Sequence, residues 1–113
     1  MKKRNTIKGE IAILNDTNLK IENGNAFLEA IYSTPLDTIV FSKSNFTDSF
    51  FDLKTGLAGE ILQKASNYKI KIIILGDFTN IDSKSFRDLI YESNRDGKII
   101  FADTIENAIE MLK

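Results

Sequence analysis

The segment from Lys69 to Leu75 constrains this chain more than any other, because Ile70, Ile72, Ile73, Ile74 and Leu75 make a near-continuous apolar run. A strand that is apolar on both sides has to be covered on both sides. This is the pattern of a central strand in a parallel sheet. Parallel neighbours cannot be joined by a tight turn. They require crossover connections of a dozen or more residues, usually helical. A chain of 113 residues has room for one such domain with one sheet.

The flanking sequence supplies the parts. Thr6-Ile7-Lys8 and Glu10 to Leu14 read as two strands around a tight turn at Gly9. Phe27, Leu28, Ile31 and Tyr32 have helical spacing, which predicts a helix from Asn25 to Ser33. Pro35 falls in a loop, and Asp37 to Ser42 reads as a strand. After the polar loop Lys43-Ser44-Asn45, apolar periodicity predicts a long helix from about Asp48 to Asn67, with Ser49 and Asp52 in capping-box form. Gly56 and Gly59 lie inside this pattern, each costing about 1 kcal/mol against Ala within a helix. They mark a later start or a close packing contact. A third helix is expected from Asp82 or Ser83 to Asn94, followed by a turn at Asp96-Gly97 and a last strand, Lys98 to Ala102. Asp103 and Glu106 frame a capping box for a final helix presenting Ile105, Ala108, Ile109 and Leu112.

The expected order is β-β-α-β-α-β-α-β-α. It gives a single α/β domain over residues 1–113, with a mixed, mostly parallel sheet of about five strands flanked by helices. Met1 to Asn5 is basic and reads as a disordered, solvated tail.

Composition narrows the chemistry. There is no His and no Cys, so imidazole triads, thiol nucleophiles, disulfides and the usual zinc sites all lose a necessary atom. Lys and Arg number 15 against 16 Asp and Glu, a balance that argues against broad nucleic-acid binding. No apolar run reaches membrane-spanning length, and no apolar signal core follows the basic start. The reading is a cytoplasmic protein with no membrane and no nucleic-acid partner. Richness in Ile, Lys and Asn, whose codons are AT-rich, points to a low-GC bacterial source.

In open sheets of this class ligands gather outside the carboxyl ends of the strands. Those ends carry Ser42, Lys43 and Ser44, then Gly76, Asp77 and Phe78, then Asp103 and Thr104. Lys43, Ser44, Ser83, Lys84, Ser85 and Arg87 offer hydroxyls and cations suited to an anion, although Asp82 and Asp88 dilute the positive field, and Asp82 or Ser83 as a cap with exposed Lys84 and Arg87 explains the same residues. Asp48, Asp52, Asp77, Asp82 and Asp103 fall near the same edge, but caps and turns account for most of them, and no metal or cofactor site is expected. Phe46, Phe50, Phe51 and Phe78 form either an apolar lid or an exposed patch that docks a partner or a second copy. No Gly-rich phosphate loop and no catalytic constellation is present.

Two stretches, Asn45 to Lys64 and Ser83 to Asn94, resemble the uncharacterised bacterial family called domain of unknown function 4180. The resemblance spans almost the whole chain. It implies a small bacterial cytoplasmic protein and no established activity. The element order more distantly resembles the STAS domain, the anti-sigma factor antagonist fold. There a phosphorylatable Ser precedes a Gly-Leu pair in the pattern Asp-Ser-Ser-Gly-Leu. The matching stretch here is Asp52-Leu53-Lys54-Thr55-Gly56-Leu57, one residue longer and with Lys54 in place of the first Ser. The resemblance implies Thr55 as a phosphoacceptor, although the expected long helix would place it inside that helix. Ser49, at the expected cap, is a second candidate.

These readings converge on a non-enzymatic regulatory or protein-binding module with a protein partner or self-association. A small nucleotide- or anion-binding domain or enzyme at the strand-end edge is the alternative.

Overall fold

The computed structural model describes residues 1–113. Five strands form one sheet: β1 (Lys2–Thr6), β2 (Gly9–Ile13), β3 (Thr38–Ser42), β4 (Lys71–Leu75) and β5 (Ile99–Ala102). The spatial order equals the chain order. β1 is antiparallel to β2, and every other pair is parallel. The crossovers are α1 (Gly24–Tyr32), α2 (Leu57–Asn67) and α3 (Lys84–Asp96), and α4 (Ile105–Met111) follows β5. The α/β class, the mostly parallel sheet and the element order are as the sequence predicts. No helix is long and apolar enough to cross a membrane.

β4 sits between two parallel partners, and Ile72, Ile73 and Ile74 are all buried. Its alternate side chains feed two cores. On one face Ile72 and Ile74 join Ile39, Phe41 and Phe101 beneath α1, α2 and α3, through Phe27, Ile31, Ala58, Ile61 and Phe86. On the other face Ile73 joins Ile11, Val40 and Ile100 beneath α4 alone, through Ala108 and Leu112. Three crossovers of one hand, run along a sheet in chain order, stack their helices on one side. The second face therefore depends on the seven residues of α4.

α4 is held in place at its far end. Lys8, in the turn between β1 and β2, donates from Nζ to the carbonyls of Ile109 (2.9 Å) and Leu112 (2.5 Å). These carbonyls lie at a helix C-terminus, where a cation is favoured. At the helix start the cap is Thr104, whose Oγ1 accepts from the Asn107 amide at 3.1 Å. The expected box from Asp103 is thus displaced by one residue. Asp103 instead accepts from the Asn107 side chain at 2.8 Å.

Three other expectations change. Met1 to Asn5 reads as a disordered tail, but Lys2–Thr6 is an edge strand in register with β2 over five pairs. Its charges are compatible with this position, since exposed Lys and Arg deter further pairing at a sheet edge. Thr6-Ile7-Lys8 is therefore not the first strand; Ile7 and Lys8 form the turn. Finally, the long helix from Asp48 is two short 3-10 turns, Asp48–Phe51 and Leu53–Thr55, followed by α2. Gly56 separates them with φ of 79°, a left-handed conformation that breaks a continuous helix and that Gly adopts without cost. Ser49 accordingly caps no helix.

The opposite edge of the sheet is closed by a side chain. Asn94 of α3 donates to the Phe101 carbonyl at 3.0 Å and accepts from the Phe101 amide at 2.7 Å, taking the place of a further strand.

Two stability predictions follow from this packing. Lys8→Met keeps the aliphatic stem but removes the ammonium from the α4 carbonyls, and it should destabilise the fold by about 1 kcal/mol in urea unfolding. Gly59 lies on the exposed face of α2 with open space around its Cβ position, so it is no packing contact. Gly59→Ala should stabilise by about 0.5–1 kcal/mol in the same measurement.

Candidate functional site

The carboxyl ends of β3, β4 and β5 carry most of the residues singled out by the sequence. The edge is built on an aromatic chain. Phe41 contacts Phe46, Phe46 contacts Phe50, and Phe50 contacts Phe86, with ring centroids 4.5 to 5.9 Å apart. Phe46 and Phe50 are buried, so they cannot belong to a partner surface; they close the end of the core. Phe51 and Phe78 remain half-exposed and pack on Phe86 and Phe101. The lid reading holds for the first pair, and only the second pair keeps a face toward solvent.

Lys43 lies across this rim. Its ammonium sits 5.7 Å from the Phe51 ring centre and 5.2 Å from that of Phe78, and it donates to the Asp77 carbonyl at 2.6 Å. Two cation–π contacts and one charge-assisted hydrogen bond fix the side chain. Gly76 makes this possible, since a Cβ there would stand 2.5 Å from the Lys43 Cβ. Asn45, 2% exposed, ties the rim to the loop after β2. Its side chain donates to the carbonyls of Asp16 and Leu19 and accepts from the Ser42 amide.

The expected anion site does not assemble. Lys43 and Ser44 border a depression with Ser42, Phe46, Asp48, Phe51, Leu75 and Gly76, and none of Ser83, Lys84, Ser85 or Arg87 lines it. Ser83 caps α3 by accepting from the Phe86 amide at 3.2 Å. Lys84 pairs with Asp88 at 3.0 Å, one turn along the same helix. Arg87 donates to the carbonyls of Ile81 and Asp82. Ser85 is exposed on the first turn of α3. These charges are satisfied locally.

Two acidic residues of the edge, Asp52 and Asp77, are likewise engaged in turns. Asp77 accepts from the Thr79 hydroxyl at 2.6 Å and from its amide at 2.9 Å. Those bonds hold the Asp77 carboxyl below its ordinary range, with the Lys43 charge adding to the effect. Asp52 accepts from the Lys54 amide at 3.1 Å. No three carboxylates converge where a metal ion could be held.

Thr55 stands apart from these. It is exposed and precedes the first turn of α2, because the helix starts only after Gly56. Its hydroxyl donates to the Ser49 carbonyl at 2.6 Å and is 2.9 Å from the Asp52 carbonyl. The same oxygen lies 3.3 Å from the Leu57 amide. One hydroxyl thus joins both 3-10 turns to the start of α2. Ser49 is engaged through its own hydroxyl, 2.9 Å from that of Thr47.

Some residues that shape the site escaped the sequence reading. Asn45 looked like loop polarity, and its role depends on a loop more than twenty residues away in sequence. Lys69 was read as the start of a strand. It is instead the only non-glycine residue with positive φ, at 56°. Its signal was available, since it directly follows a helix at the position where Gly or Asn is favoured.

The carboxyl of Asp77 should titrate below the ordinary Asp range, near 3.9, when followed by side-chain NMR. In Thr79→Ala its midpoint should rise. A carboxyl lowered on folding stabilises the protein above its unfolded value, and that contribution disappears as pH falls through the folded value. The acid limb of the stability profile should therefore move to higher pH in Thr79→Ala.

No curated protein and no solved structure matches this chain. A family model described as Domain of unknown function (DUF4180) matches residues 7–112, from the turn after β1 to the end of the core of α4. The match covers four of the five strands and all four helices, and the chain belongs to the DUF4180 family.

Proposed function

We propose that this protein is a non-enzymatic regulatory module, cytoplasmic and bacterial, of STAS-like type. It docks a protein partner through the carboxyl-end rim and the start of α2, and Thr55 is its modifiable position. The observation that supports this reading is the setting of Thr55: an exposed hydroxyl ahead of a helix, joining two turns by its single proton. A phosphoryl group on Oγ1 removes that proton and ends both hydrogen bonds. It also adds nearly two negative charges at the start of α2, beside the Ser49 and Asp52 carbonyls. The free amides of the first turn of α2 favour an anion there. The modified and unmodified forms thus differ in charge and in the order of residues 48–56.

The rest of the rim supports a binding role over a catalytic one. Lys43, Arg87 and Lys84 are each committed to a protein acceptor, Asp52 and Asp77 to turn donors, and Asp103 to the Asn107 side chain. Proton-transfer chemistry requires an acid or base available to a substrate, and these six groups are already engaged with the protein.

Tagged protein used as bait in lysate of its own host tests the proposal, with Thr55→Glu and Phe51→Ala alongside and circular dichroism confirming that each folds. The expected result is a partner held by the native protein, lost by Thr55→Glu and weakened by Phe51→Ala. A native bait that retains nothing specific, or a partner held equally by all three, overturns it. A melting temperature raised by a nucleotide would favour the anion-binding alternative; ligand at a hundred times its Kd stabilises by about 2.7 kcal/mol.

A further inference from the structure

The amino ends of β4 and β5 hold a second site. Between the last turns of α2 and α3 lies a cleft of about 410 Å³, a volume typical of small-ligand sites. Its apolar wall is Leu62, Ala65, Ile70 and Ile99, and Lys69, Lys71 and Lys98 stand with Asp96 at its polar border. We infer that this cleft binds a small amphipathic carboxylate, with the apolar body against Leu62, Ile70 and Ile99 and the anionic head between Lys69 and Lys98.

Charge and backbone conformation both favour that ligand. The two ion pairs of the protein, Arg4 with Glu106 and Lys84 with Asp88, lie elsewhere, so neither Lys69 nor Lys98 is paired with an acid. Lys71 donates to the Lys113 carbonyl and is less available. The C-termini of α2 and α3 contribute roughly half a negative charge each. With Asp96 they do not cancel three ammonium groups, and the mouth stays positive.

Lys69 occupies its place against local preference. α2 ends in a Schellman arrangement, in which the Ile70 amide donates to the Ala65 carbonyl at 2.9 Å and the Lys69 amide to the Ser66 carbonyl at 3.1 Å. The residue at the left-handed position of this motif is usually Gly, and here it is Lys with φ of 56°. A lysine held there at a cost to the backbone, on the border of an apolar cleft, is accounted for by what its charge meets. The site lies at the end of the sheet opposite the rim of the proposed docking surface, and it stands or falls independently of that reading.

The probes are octanoate, octanol as its uncharged counterpart, and inorganic phosphate, each titrated into ¹⁵N-labelled protein and followed by NMR. The expected result is saturable shifts with octanoate confined to Ser66, Lys69, Ile70, Ser93 and Ile99, and weaker binding or none with octanol and phosphate. Lys69→Gly combined with Lys98→Ala should weaken octanoate binding about tenfold. Lys69→Gly alone should leave the melting temperature unchanged or raise it, which separates lost binding from lost folding. Shifts scattered over the surface, equal affinity for octanol, or undiminished binding in the double variant would each overturn the inference.

Discussion

The structure depends on burying both faces of β4. Ile72 and Ile74 on one side and Ile73 on the other are withdrawn from water, each burial stabilising the fold by roughly 1.5–3 kcal/mol. The first side is easily covered, because three crossover helices fall there by the handedness of parallel connections. The second has only α4, whose Ala108, Ile109 and Leu112 are its buried residues. The Lys8 ammonium at the α4 carbonyls and the Lys113 amide on the Gly97 carbonyl then have a common purpose. Each fixes a short helix that the second core cannot do without. The antiparallel β1–β2 hairpin belongs to the same solution, since its turn carries Lys8.

A parallel sheet also creates two chemically different ends, and this protein treats them differently. At the carboxyl ends nearly every charge is answered nearby: Lys43 by two aromatic rings and a carbonyl, Asp77 by Thr79, Arg87 by two carbonyls. Aromatic packing of Phe46 and Phe50 closes the core there, and the turns between Asp48 and Thr55 wrap over it. The Thr55 hydroxyl ties these turns to the start of α2. At the amino ends the opposite holds. Lys69 and Lys98 are unpaired beside apolar side chains, and one backbone unit is held in a conformation its residue disfavours.

How much of this was legible in the chain varies with the range of the interactions involved. The strands Asp37 to Ser42 and Lys98 to Ala102 lie within one residue of β3 and β5, because continuous apolar runs bounded by turn residues are a local signal. Ser83 as the cap of α3 and Gly97 as its left-handed terminus are local as well, each being set by its own backbone. The region from Asp48 to Thr55 was misread because Phe50, Phe51 and Leu57 have helical spacing. Their spacing reflects three separate contacts with the end of the core rather than one helix face. The first residues were misread for a related reason. Lys2 to Thr6 has no apolar pattern, and only pairing with β2 makes it a strand.

The sequence by itself determined the α/β class, the order of elements, the interior position of the isoleucine strand and the absence of imidazole and thiol chemistry. Those follow from hydrophobic periodicity, turn residues and composition, which neighbouring residues settle among themselves. Tertiary structure alone decided that Phe46 and Phe50 are core, that Lys43 is held by Phe51, Phe78 and Asp77, and that Thr55 stands before a helix. It also decided that Lys69 and Lys98 share a cleft although 29 positions separate them. A side chain's availability depends on which distant groups reach it first, and only the folded arrangement brings those groups within range.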